Sequence, residues 1–160
     1  MNQPLSDFFS HQELSLRQTE AHDIPLLVPI INEAYSYQDE AKGAQRTNTE
    51  HLTQRITEVD FYTLLEADEI VGCVYLEPKA NVLHFGLLTL VPRLRGKGVG
   101  DSLIQAIESY ARSHHFETIS LDYMSLAPWL NRYYEKFGFR ETKKVTRWGK
   151  IDLIEMRKNI

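Results

Sequence analysis

The segment Arg93-Leu94-Arg95-Gly96-Lys97-Gly98-Val99-Gly100 interleaves glycines with cations and runs into an amphipathic stretch. Directly before it, Leu87-Leu88-Thr89-Leu90-Val91-Pro92 reads as a buried strand ended by proline. A strand, a glycine-rich turn and a helix N-terminus, in that order, make a phosphate site. The unpaired N–H groups of the first helical turn face the ligand, and the helix dipole favours negative charge there. Glycine lets the main chain adopt positive φ and come close to the ligand. Arg93, Arg95 and Lys97 place positive charge in a chain of net charge −4, a local reversal of sign that a plain turn does not need.

Three kinds of phosphate loop compete for this pattern. A P-loop requires G-x-x-x-x-G-K-[ST], which the chain lacks. A dinucleotide fingerprint requires G-x-G-x-x-G, but counting from Gly96 the sixth position is Asp101, and the loop lies mid-chain rather than after a first strand. The pattern R-x-x-G-x-G is met by Arg95, Gly98 and Gly100.

Leu88–Gly100 followed by an amphipathic helix resembles the acetyl-CoA-binding motif of the GNAT superfamily of N-acetyltransferases. Downstream, Tyr134-Glu135-Lys136-Phe137-Gly138-Phe139 resembles that family's Y-E-K-x-G-F segment. Together the two motifs cover roughly residues 61–146. The resemblance implies a single GNAT-like α/β (α+β) domain that uses acetyl-CoA as co-substrate and no metal. It implies that the main chain of Leu88, Thr89 and Leu90 pairs with the pantetheine arm like an added strand. The N–H groups of Arg95, Gly96, Lys97, Gly98, Val99 and Gly100 would then hold the pyrophosphate. Tyr134 matches the family tyrosine that protonates the leaving thiolate. Asn131, one turn earlier on the same side, is a further candidate cofactor contact. The asparagine that many members carry seven residues before the tyrosine is Ala127 here.

The chemistry agrees with those roles. An amine attacking a thioester forms a tetrahedral oxyanion, which a main-chain N–H at a strand end, that of Leu90, can stabilise. A phenol of pKa about 10 is protonated at pH 7 and can supply a proton to a thiolate whose acid has a pKa of about 8.5. The amine, with a pKa also about 10, must first lose a proton. Glu77, at the end of the neighbouring strand, is the first candidate to take it, directly or through water, and His84 is another. By position the Tyr35–Arg46 segment, with Tyr37, Asp39 and Glu40, borders the acceptor. It carries both signs, which suits a small zwitterionic or polar amine as well as a peptide. The loop reads phosphates rather than the acyl chain, so O-acyl or longer-acyl transfer, and a non-catalytic coenzyme A sensor, stay open as alternatives.

These residues need a scaffold, and the pattern supplies one. Alternation predicts strands at Glu13–Gln18, Phe61–Leu65, Glu69–Leu76, Val82–Val91 and Thr118–Tyr123. A closing hairpin is predicted from Phe139–Thr146 and Lys150–Met156 around Trp148-Gly149. Helices are predicted at Asp23–Tyr35, capped by Asp23, at Thr49–Thr57, capped by Asn48, at Gly98–His114, and at Ala127–Lys136 before Gly138. Ser36–Thr47 reads as a loop and residues 1–10 as a loose arm. The order gives one mixed, mostly antiparallel sheet of six to seven strands flanked by helices, with a parallel crossover from Val82 to Tyr123.

The bulk figures set limits. The 160 residues suit one domain, 1–160, and 42% hydrophobic residues suffice for a core. A net charge of −4 offers no field for nucleic acid or an anionic membrane. The one cysteine, Cys73, excludes an internal disulfide and a multi-cysteine metal site, and reads as a small buried hydrophobe. No basic leader and no apolar run near the ~20 residues of a membrane span is visible, so the cytoplasm is the expected location. A homodimer through a sheet edge or the C-terminal hairpin is compatible with the pattern.

Overall fold

The strands β1 (Leu14–Gln18), β2 (Asp60–Glu66), β3 (Glu69–Lys79), β4 (Val82–Leu90), β5 (Thr118–Met124), β6 (Arg140–Arg147) and β7 (Ile151–Asn159) form one sheet in the order β1-β2-β3-β4-β5-β7-β6. This computed structural model describes residues 3–149 and 151–160. Lys150, the expected first residue of the last strand, lies outside them. The helices are α1 (Ile24–Ala34), α2 (Asp39–Lys42), α3 (Thr49–Glu58), α4 (Val99–Ser113) and α5 (Trp129–Glu135). Every strand pair is antiparallel except β4 with β5, which the α4 crossover joins in parallel.

The sheet has a core on each face. Val99, Leu103, Ala106, Ile107, Tyr110 and Ala111 of α4 are all buried, as their helical spacing requires, against Val74, Leu76, Leu83 and Leu121 of the strands. Burying a leucine or isoleucine of that stripe contributes about 1.5–3 kcal/mol. On the other face, Ile24, Leu27 and Ile31 of α1 and Leu52 of α3 pack on Phe61, Cys73, Tyr75 and Leu87. Cys73 is fully buried, and burial pushes its thiol up to about 12.

Three local expectations change. The expected loop 36–47 contains a 3-10 turn, Ser36–Gln38, and the single helical turn α2, stopped by Gly43 at φ 71°. One turn is too short to show a periodicity. Asn48 caps α3, accepting the His51 N–H at 2.8 Å, but Asp23 does not cap α1. Its buried carboxylate instead takes the Arg17 guanidinium at 2.6 and 2.8 Å and the Glu20 N–H at 2.8 Å. The arm expected to be loose is anchored from Leu5 onward. Leu5 is fully buried, its N–H donates to the Tyr62 hydroxyl at 3.1 Å, and Phe8 packs edge-on to Tyr110.

Two irregularities shape the centre. First, β4 and β5 pair only through Val82↔Thr118, Leu83↔Ile119 and His84↔Ser120, and then part. Second, one β3 residue, Val74, sits between the pairs Cys73↔Thr89 and Tyr75↔Gly86, opposite both Leu87 and Leu88. This bulge puts Leu87 at φ 48°, and its carbonyl accepts the Thr89 hydroxyl at 2.9 Å. The extra residue bends β4 away from β5 and widens the split.

Candidate active site

Beyond His84, β4 has no ladder partner on its β5 side. A strand edge with free N–H and C=O groups is a template for an extended ligand. The chain then turns through Pro92–Leu94 into the glycine loop. Gly96 and Gly98 adopt φ 72° and 83°, and no side chain caps the start of α4. Edge and helix terminus open into one cavity of about 460 Å³, which Leu88, Thr89, Leu90, Arg95, Gly96, Gly98 and Gly100 line from one side. An added Cβ would meet nothing within 4 Å at Gly96, and only a His11 ring carbon at 3.8 Å at Gly98. The cradle is thus open in front of the helix terminus, as an anion site requires.

Arg95 braces this loop. Its Nε donates to the Leu90 carbonyl at 3.1 Å, and its guanidinium pairs with Glu33 of α1. Lys97 and Val99 line a separate hollow with His11 and Glu66. Their side chains therefore point away from the cavity, which leaves only their main-chain N–H groups for the expected role. Asn131 does not line the cavity either. Its amide donates to the Tyr123 hydroxyl at 2.9 Å.

The α5 wall adds residues outside the expected set. Trp129, Leu130 and Tyr133 line the cavity beside Tyr134. The Tyr133 hydroxyl donates to Asp101 of α4 at 2.9 Å, and a Cβ at Gly100 would lie 2.7 Å from that oxygen. Gly100 is what lets α5 come this close to the first turn of α4.

Tyr134 lies where two cavities meet. It lines the first cavity and also a second, of about 340 Å³, on the other side of the split. Its ring packs edge-on against Phe85 and Phe139 at 6.1 and 6.0 Å. Burial pushes its phenol well above the ordinary value, so it is protonated at neutral pH. Among the described residues its hydroxyl makes no hydrogen bond, which leaves that proton free for a ligand.

The second cavity takes Tyr35, Tyr37, Gln38, Lys42 and Arg46 from the α1–α3 connection, Trp148 from the β6–β7 turn, and His84 and Asp122 from the diverging strands. The expected bordering segment is therefore in place, although Asp39 and Glu40 do not line the cavity. His84 is 6% exposed. Its Nδ1 lies 2.9 Å from the Ser120 hydroxyl and its Nε2 3.7 Å from the Asp122 carboxylate. Burial pushes the imidazole pKa down and the Asp122 carboxyl up, each toward its uncharged form, against their mutual attraction. A neutral imidazole is a proton acceptor.

Glu77, the first candidate base, lines neither cavity. It stands opposite His84 in the β3–β4 ladder, one strand further from the split. Arg55 of α3 holds its carboxylate at 3.3 Å and Lys79 at 3.6 Å. Burial raises that carboxyl, but the Arg55 hydrogen bond and charge, with Lys79, outweigh it and hold it below the usual range. A twice-paired carboxylate is a weak base. Among the described residues no cluster of His, Cys, Asp and Glu could hold a metal, and no helix is long and apolar enough to cross a membrane.

No curated protein matches the chain in sequence. Solved structures share its fold. A ribosomal-protein-alanine N-acetyltransferase from Brucella melitensis superposes with a TM-score of 0.70 at 17% identity, covering 91% of this chain and 99% of its own. The PaiA N-acetyltransferase from Thermoplasma acidophilum, solved with coenzyme A, gives 0.73 at 16% identity, covering 92% and 99%. A GNAT family acetyltransferase from Elizabethkingia anophelis, solved with acetyl-CoA, gives 0.70 at 16%, covering 94% and 100%. The family model described as an acetyltransferase (GNAT) domain matches residues 31–160. With the split β4–β5 pair, the glycine cradle and this match over most of its length, the chain belongs to the GNAT family of acetyltransferases.

Proposed function

We propose that the protein transfers the acetyl group of acetyl-CoA to a primary amine by direct attack, without an acyl-enzyme. The observation that carries this reading is Tyr134, a buried and protonated phenol at the junction of the two cavities. The open cradle at Gly96–Gly100 fits a pyrophosphate, and the Leu88–Leu90 edge, unpaired by any strand on its β5 side although Arg95 takes the Leu90 carbonyl, fits an amide-bearing arm. Acetyl-CoA carries both.

The chain's own groups then divide the work. His84, with Asp122 beside it, takes a proton from the ammonium form of the acceptor, directly or through water. The main-chain N–H of Leu90 faces the negative charge that develops on the carbonyl oxygen as the C–N bond forms. Tyr134 gives its proton to the sulfur as the C–S bond breaks, and the products are an N-acetyl amine and coenzyme A. The apolar rings of Phe85 and Phe139 exclude water around the phenol, which keeps it protonated until sulfur departs, and the phenolate then regains a proton from solvent while His84 releases the one it took.

The test is release of free thiol from acetyl-CoA in the presence of a panel of primary amines, with the acetylated product identified by mass. Transfer to nitrogen supports the reading. If the protein binds acetyl-CoA but consumes none with any amine, the reading is wrong and a coenzyme A sensor takes its place.

A further inference from the structure

The amine chemistry uses His84, Asp122 and Tyr134 of the second cavity's lining. The same lining carries two cations that the reaction does not need. Lys42, at the end of α2, and Arg46, just beyond it, both line the cavity. Among the described residues neither reaches a carboxylate at ion-pair distance. Each lies instead against an aromatic face, Lys42 Nζ at 4.6 Å from the Trp148 ring and the Arg46 guanidinium at 5.6 Å from Tyr35. Asp39, one turn before Lys42, attracts it from a distance but does not line the cavity. Burial first, and then the neighbouring Arg46 charge, push the Lys42 pKa down against the pull of Asp39.

A second observation is independent of charge. Gln38 lines the same cavity and is 1% exposed, and its Nε2 has no hydrogen-bond partner. A buried donor left unpaired costs about 1–3 kcal/mol, which a ligand acceptor would recover. Two cations and an unpaired amide therefore belong to one cavity lining, and the nearest acceptor, the unpartnered Asp39 carboxylate oxygen, does not line it.

Resting on the transferase reading above, we infer that the acceptor is a small amino acid. Its carboxylate is held by Arg46, Lys42 and Gln38, and its amine is directed at His84 and the Tyr134 junction. Arg46 offers the planar fork that matches a carboxylate. Size points the same way. A cavity of about 340 Å³ lies at the small end of ligand sites. Trp148 of the β6–β7 turn and Lys42 of the α1–α3 connection both line it and lie against each other.

The experiment compares kcat/KM for free L-amino acids, their methyl esters and C-amidated alanine-led tripeptides. At least one free amino acid should exceed its own ester by about 10- to 100-fold, the loss expected for a charged hydrogen bond. Arg46→Met should collapse that ratio through KM, Arg46→Lys should keep part of it, and Lys42→Met should weaken it. Acetyl-CoA affinity, measured on each variant, reports that the fold is intact. Esters or amidated peptides matching the free acids, or a ratio that survives Arg46→Met, would overturn the inference and leave the transferase reading standing. No acetyl-CoA consumption with any amine would overturn the transferase reading itself, and this inference with it.

Discussion

His84 and Asp122 face each other at 3.7 Å across the point where β4 and β5 stop pairing. His84 belongs to the last paired rung and Asp122 to the first free stretch of β5, so the pair sits at the apex of the split. Tyr134 reaches the same region from α5. Proton acceptor and proton donor are thus carried by different elements and converge only because the sheet opens there.

The position of His84 fixes a pH dependence. Burial lowers its pKa, while Asp122, Glu77 and Glu155 pull it up and Lys79 pushes it down. A base works when unprotonated, so kcat should be level at neutral pH and fall on acidification, with its acid limb below the ordinary histidine value of about 6.5. Asp122→Asn removes an attraction for the proton and should move that limb to lower pH. His84→Gln should cut kcat by about 100-fold and abolish the limb. A limb unchanged in both variants would exclude His84 as the base.

The glycine cradle makes a second prediction, read by calorimetry with acetyl-CoA. Gly98 has φ 83° and an added Cβ there would meet only a His11 ring carbon, at 3.8 Å without a clash, so Gly98→Ala costs only backbone strain, about 1–2 kcal/mol. Gly98→Glu adds a carboxylate facing the pyrophosphate and should weaken binding by at least a further tenfold or so. Equal affinities for the two variants would place the phosphates elsewhere.

Gly100 is constrained by space rather than φ. Its added Cβ would lie 2.7 Å from the Tyr133 oxygen but 3.7 Å from the ring carbon that bears it. Gly100→Ala should therefore weaken acetyl-CoA binding by pushing the Tyr133 ring, and α5 with it, off the first turn of α4. The double variant Gly100→Ala with Tyr133→Phe should recover most of the loss. A double variant no better than the single one would show that α5 is not held in this way.

Sequence legibility followed the range of the signal. The α4 stripe, the strands and the glycine loop are written in local spacing, and the fold shows each of them. The short α2 has no period to read. Asp23 looks like a cap by position, but Arg17 on the neighbouring strand claims its carboxylate. Glu77 and His84 are cross-strand partners, and only the pairing of β4 with β5 tells which one borders the split. Gln38, Lys42 and Trp148 come together through contacts between distant segments, for which no local pattern exists.

The most direct test of the account is Tyr134→Phe, with kcat and acetyl-CoA affinity measured on the same preparation. Removing one hydroxyl leaves the packing on Phe85 and Phe139 in place. The account predicts a fall in kcat of about 100-fold or more with affinity nearly unchanged, since the proton is needed only as sulfur departs. An unchanged kcat, or an affinity that falls as far as kcat, would contradict the role of Tyr134 as the acid at the junction of the two cavities.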